Sequence, residues 1–177
     1  MIIYITGASG SGKTTVLKLL PIKGYDLDDI YEANWKKHRK IETVQKGVKQ
    51  DIDALVSKHP ILVFVGLQGK EHLVFNPDHV ILLYRTDYEQ YFRQKLVRDL
   101  KLLCEGQKEY ETILLKKPFD EFRNYFWSND MVNMKTLDEF KTRVEKTNKA
   151  IQTDFPGAKS MTSSEIPKFI KTLSSLQ

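Results

Sequence analysis

Three short apolar runs, Ile2–Thr6, Ile61–Val65 and Val80–Tyr84, lack the in-out alternation of a strand with one wet face. Continuous apolar character of this length predicts strands buried on both sides, the situation of a parallel sheet covered by helices. A fourth, shorter strand is expected at Tyr25-Asp26, where Gly24 precedes a change from apolar to acidic residues. Between the runs the apolar spacing becomes helical, as in Tyr88, Phe92, Leu96, Leu100 and Leu103, so helices should cross between strands and cover the sheet. Toward the C-terminus, Thr136 and Glu139 stand at capping-box spacing before Phe140, Val144 and Ile151, and Ser163 precedes Ile166, Phe169, Ile170 and Leu173. Two further helices are predicted there, with Gly157–Met161 between them as the last strand. The pattern is α/β. The segment from Gly106 to Lys135 is different, mixing charge with Phe119, Phe122, Phe126 and Trp127 without one clear period. It reads either as a lid or as a helical insertion packed on the core.

Length and composition narrow this picture. A chain of 177 residues suits one domain, and domains of roughly 100–200 residues bury a real core. No linker, repeat or low-complexity block divides it, so one domain over 1–177 is expected, with a lid or helical excursion around 93–135. No apolar stretch approaches the ~18 residues of a membrane span. Met1 leads directly into an apolar strand without the features of a secretory signal. Cys104 is the single cysteine and has neither a disulfide partner nor an evident histidine partner for thiol chemistry. These features predict a cytoplasmic protein without a membrane role. The four histidines, His38, His59, His72 and His79, lack metal-ligand spacing. The formal charge of +5 suits polyanions, either nucleic acid or nucleotides. Basic residues cluster only in Lys36-Lys37-His38-Arg39-Lys40, a solvated helix face in its plain reading.

The chemistry is concentrated after the first strand. Gly7-Ala8-Ser9-Gly10-Ser11-Gly12-Lys13-Thr14 has the spacing of glycine, four residues, glycine, lysine and a hydroxyl residue. Glycines let the backbone turn tightly so that successive amides face phosphate oxygens, and the helix that follows adds positive partial charge. This predicts binding of ATP with Mg2+: Lys13 on the β- and γ-phosphates, the Thr14 hydroxyl on magnesium, and Thr15 as a helix-start residue at the edge of the site. The expected fold is accordingly a P-loop NTPase three-layer α/β/α sandwich with a mostly parallel five-stranded sheet and a helical lid. A GTPase is disfavoured. Asn148-Lys149-Ala150 opens like a guanine-reading sequence, but Ile151 stands where the carboxylate that accepts from guanine belongs. The strand Ile61–Val65 ends at Gly66 without the acid that motor ATPases carry.

The acids instead follow the first helix, in Asp26-Leu27-Asp28-Asp29. Here the chain resembles the small P-loop kinases of the adenylate-kinase-like group, most closely the shikimate- and gluconate-kinase branch. Gly7–Thr14 is similar to their phosphate loop and Asp26-Leu27-Asp28 to their aspartate, any residue, aspartate motif. The resemblance implies Asp26 as a magnesium contact and Asp28 as the acceptor-binding residue or base. It continues at Val65-Gly66-Leu67-Gln68-Gly69, where a strand-end glycine leaves room for an acceptor, and at Val80–Tyr84 followed by Glu89, Arg93 and Arg98. The latter looks like the strand and lid-entry helix whose arginines clamp phosphates, a task suited to guanidinium groups. Residues five apart on a continuous helix diverge by about 140°, so Arg93 and Arg98 can share the task only if the helix breaks or the lid folds over. Arg98 also shares a basic stripe with Lys95 and Lys101.

The expected activity is transfer of the γ-phosphoryl group of Mg-ATP to a small acceptor, a hydroxyl compound or a nucleoside monophosphate. The alternatives are a 5′-hydroxyl nucleic-acid kinase using Lys36–Lys40, and a noncatalytic ATP-binding regulatory module.

Overall fold

The computed structural model describes residues 1–103 and 136–175, and for residues 99–103 it describes the backbone alone. The segment Gly106–Lys135 and Cys104 lie outside the described residues. Contacts group the chain into two compact units, Met1–Tyr84 with Thr147–Gln177, and Arg85–Lys146.

The first unit is built on a five-stranded sheet in the order β2-β3-β1-β4-β5. Its strands are β1 (Ile2–Thr6), β2 (Gly24–Asp26), β3 (Leu62–Val65), β4 (His79–Leu83) and β5 (Lys159–Met161). Every pairing is parallel, with Ile3 opposite Val63 on one side and His79 on the other. The sheet is therefore wholly parallel.

The absence of alternation in the apolar runs has a direct cause, because both faces of the central strands are covered. Ile3, Ile5, Val63, Val65, Ile81 and Leu83 point to one face, packing with Val16 of α1 (Lys13–Leu17) and with Ile166 and Ile170 of α6 (Ile166–Ser174). Tyr4, Leu62, Phe64 and Leu82 point to the other. They pack with Leu27 of α2 (Leu27–Lys37), with Val44, Val48 and Ile52 of α3 (Ile41–Val56), and with Ile151 of α5 (Leu137–Asp154). Full burial of an aliphatic side chain stabilises by about 1.5–3 kcal/mol, so β1, buried from Ile3 to Thr6, anchors the strand that feeds the loop after it. The last strand is shorter than the expected Gly157–Met161. Ala158 turns back to donate to the Phe155 carbonyl, and only Lys159–Met161 pair with β4.

Helices α2 and α3 are fixed to one another by a polar contact. Asn34, 1 % exposed, donates from Nδ2 to Asp51 Oδ2 at 2.7 Å and to the Ile30 carbonyl at 3.0 Å. Gly47 makes this possible, since a Cβ there would stand 2.1 Å from Asn34 Oδ1. The start of α6 is organised by Thr162, not Ser163. The Thr162 amide and hydroxyl both donate to Glu165 Oε2 at 2.7 Å, and that backbone donor holds the exposed Glu165 carboxyl below its ordinary value.

In the second unit, α4 (Tyr88–Leu103) begins where Asp87 Oδ1 accepts from the Gln90 amide. Tyr91 and Phe92 pack on Phe140 of α5, with ring centroids 4.9 and 5.0 Å apart. Thr136 and Glu139 form the predicted reciprocal cap, each side chain accepting from the other's amide. Among the described residues, no helix is long and apolar enough to cross a membrane.

Candidate functional site

Strand β1 ends at Thr6, and the chain turns through Gly7–Gly12 into α1. Two glycine positions explain why this loop needs its composition. A Cβ at Gly7 would lie 2.5 Å from the Leu83 carbonyl oxygen at the end of β4, closer than any side chain tolerates. Gly12, the N-cap of α1, has φ 102°, a left-handed conformation that costs other residues roughly 1–2 kcal/mol. Ser11 N donates to Ala8 O at 3.0 Å and closes the turn. With glycine at the N-cap, no side chain closes off the amides of the first turn. The loop also buries Ser11, whose Oγ has no hydrogen-bond partner among the described residues. Lys13 folds back so that Nζ donates to Gly7 O at 2.7 Å and Ala8 O at 3.3 Å. Its ammonium thus sits on the loop it follows, while Ser9 and Thr15 are exposed at its margin.

The helix α1 is short. After Leu17 the bonds tighten to the i→i+3 type, from Lys18 N to Thr15 O and from Leu19 N to Val16 O, before Pro21 ends any helical continuation. The chain then returns through β2, placing Asp26 next to Thr14.

Asp26 serves two elements at once. It is the last residue of β2 and the N-cap of α2, where Oδ1 accepts from the Asp28 amide at 3.1 Å. Its other oxygen, Oδ2, accepts from Thr14 Oγ1 at 2.9 Å. Asp28 and Asp29 follow in the first turn of α2, where the helix dipole favours carboxylates. Both are exposed.

The loop after β3 supplies a participant that sequence reasoning did not single out. Gln68 Nε2 donates to Asp28 Oδ1 at 3.3 Å, and the Gln68 carbonyl accepts from the Tyr4 hydroxyl at 3.0 Å. The space left open by Gly66 holds this side chain, since a Cβ on Gly66 would be 2.2 Å from Gln68 Oε1. The only signal for it in sequence is a polar residue two places beyond a strand-end glycine. Burial, reinforced by the charge of Asp28, pushes the Tyr4 phenol well above its ordinary value.

The carboxyl ends of β1, β2 and β3 therefore gather the phosphate-type loop, Thr14, Asp26, Asp28 and Gln68 in one place. Chemically this arrangement suits a polyanion on the loop and a divalent cation between Thr14 and Asp26. Among the described residues no three His, Cys, Asp or Glu side chains converge, so a cation there would take most of its ligands from phosphate and water.

The two arginines stand on α4 in the second unit. Arg93 is 6 % exposed and donates to Glu89 Oε1 at 2.9 Å, whereas Arg98 is exposed. In the basic run, Lys36 pairs with Glu32 across one helical turn and Arg39 is exposed in the α2–α3 connection. Asn148-Lys149-Ala150 lies inside α5, a helical setting that does not present a base-reading loop. Compared with known proteins, the chain matches no family model and no curated protein sequence.

Proposed function

We propose that this protein has the three-layer P-loop NTPase fold and transfers the γ-phosphoryl group of Mg-ATP to a small acceptor, a hydroxyl compound or a nucleoside monophosphate. The observation that carries the reading is the Thr14 Oγ1–Asp26 contact, which joins a glycine-rich loop with an uncapped helix start to an acid one residue removed from a second, exposed acid. The orphaned Ser11 hydroxyl and the first-turn amides of α1 are donors suited to phosphate oxygens. Lys13, which holds the Gly7 and Ala8 carbonyls, would exchange them for the β- and γ-phosphates. Thr14 and Asp26 would hold magnesium, which supplies charge neutralisation at the transferring phosphoryl group. Asp28 orients the acceptor hydroxyl and takes its proton as the new oxygen–phosphorus bond forms, the bond to the β-phosphate oxygen breaks and ADP departs. Arg93 and Arg98 are the proposed cationic residues for the transferring phosphoryl group. Most of the acceleration in this scheme is positioning and electrostatics.

The test is transfer from γ-labelled ATP with magnesium across nucleoside monophosphates, sugar acids, other small alcohols and 5′-hydroxyl oligonucleotides, with Lys13→Ala as control. A labelled small-molecule product, absent with Lys13→Ala, is the expected result. Labelling of oligonucleotides alone, with steep salt dependence, would replace this reading with a nucleic-acid kinase. Tight ATP binding without any product would favour a regulatory nucleotide-binding module.

A further inference from the structure

We infer that Gln68 is a positioning residue for Asp28, fixing which carboxylate oxygen is left to meet the acceptor. The inference rests on the proposed role of Asp28 for its catalytic meaning, but the contact itself stands on geometry. Gln68 is held at two points from elements far apart in the chain: its backbone carbonyl by Tyr4 of β1 and its side-chain amide by Asp28 of α2. The orientation of that amide is dictated, because turning it over would aim Oε1 at a carboxylate oxygen, two acceptors facing one another. In the dictated orientation Oε1 is buried with no hydrogen-bond partner among the described residues, wedged over Gly66 beside Leu27. The side chain reaches Asp28 Oδ1 through the room that Gly66 leaves.

The consequence is directional. With Oδ1 occupied by Gln68, Asp28 presents Oδ2 to an incoming hydroxyl. Through Tyr4 this orientation is referenced to β1, the same strand that carries the phosphate loop.

Two measurements test it. Without any substrate, the side-chain amide cross-peaks of Gln68 are compared by 15N NMR in the wild type and in Asp28→Asn. They are expected to move in the variant while the amides of Gly7–Thr14 hold their positions, and an unmoved Gln68 amide overturns the contact. With the acceptor found by the transfer panel, Gln68→Leu is expected to lower kcat by about 10- to 100-fold, with KM for ATP unchanged and thermal stability not reduced. Gly66→Ala, which expels the amide from its seat, should give the same loss, and adding it to Gln68→Ala should cost nothing further. A kcat that stays at the wild-type level in Gln68→Leu, or falls only in step with stability, overturns the positioning role. If no acceptor is phosphorylated, the kinase reading fails while the NMR comparison still decides the contact.

Discussion

Asp26 carries two duties that a pair of substitutions can separate. As N-cap of α2 it accepts from the Asp28 amide, and as neighbour of the loop it accepts from Thr14 Oγ1. Asparagine caps a helix as well as aspartate does, whereas alanine forfeits about 1 kcal/mol. The Thr14 contact, at a solvent-accessible position, adds about 0.5–1 kcal/mol. Asp26→Ala should therefore lose about 1–2 kcal/mol, equivalent to a melting point lower by roughly 2–6 °C for a chain of this size. Asp26→Asn should lose at most a few tenths of a kcal/mol, from the missing charge at the helix start. Activity should not follow this difference in stability. Both variants remove the anionic ligand proposed for magnesium, and each should raise the magnesium concentration needed for half-maximal transfer by about 10- to 100-fold. The assay is thermal unfolding by circular dichroism without nucleotide, followed by a magnesium titration of transfer from γ-labelled ATP. Equal destabilisation by the two variants would refute the capping account. Wild-type magnesium dependence in Asp26→Asn would refute the metal role and leave Asp26 a purely structural residue.

Two further outcomes follow from the packing. Gly47→Ala, in the interior of α3, would ordinarily stabilise by about 1 kcal/mol, yet its Cβ would collide with the buried Asn34 amide, so a net loss of about 1–3 kcal/mol is expected by urea unfolding. In an Asn34→Ala background the same substitution should become stabilising, and a failure of that sign to invert would sink the explanation. At high pH, burial raises the Tyr91 phenol to about 12 despite the opposing charges of Arg85 and Arg98. A phenol whose folded value exceeds its unfolded value of about 10 gives stability that is complete below pH ~10 and lost as pH rises toward 12. Tyrosinate absorbance near 295 nm should lack the Tyr91 share near pH 10 while the protein stays folded, and Tyr91→Phe should move the alkaline unfolding midpoint upward. Ionisation of Tyr91 in the folded protein near pH 10 would contradict this.

The central strands were legible because burial on both faces leaves a mark on every residue. The apolar run Ile2–Thr6 coincides with β1 residue for residue, and the runs at 61–65 and 80–84 coincide with β3 and β4 to within one position. The reciprocal cap of Thr136 and Glu139 was legible because both partners lie within one turn. At the margins this local logic weakens. Strand β5 exposes Lys159 and Ser160, so it carries little apolar pattern. At the start of α6, Thr162, Ser163 and Ser164 are chemically similar neighbours, and only the backbone geometry selects Thr162. The loop and the Asp26-Leu27-Asp28 motif were visible as letters, but the Thr14–Asp26 contact needed β2 to return beside the loop. Gln68, 40 residues from Asp28 and 64 from Tyr4, and the Asn34–Gly47–Asp51 contact depend wholly on tertiary proximity, for which a single sequence has no period or spacing.

The two strands at the borders of the sheet, β2 and β5, are three residues each, while the most apolar strands lie between them. A border this short offers few backbone groups for pairing with another chain, and the exposed Lys159 adds a charge that a stacked copy would have to neutralise. The apolar strand Leu62–Val65, whose composition would favour self-association if exposed, is hydrogen-bonded on both flanks by β1 and β2. Colloidal safety in this protein therefore depends on keeping the sheet closed around β3, and destabilising substitutions in the α2–α3 pair that covers it should show first as aggregation on heating.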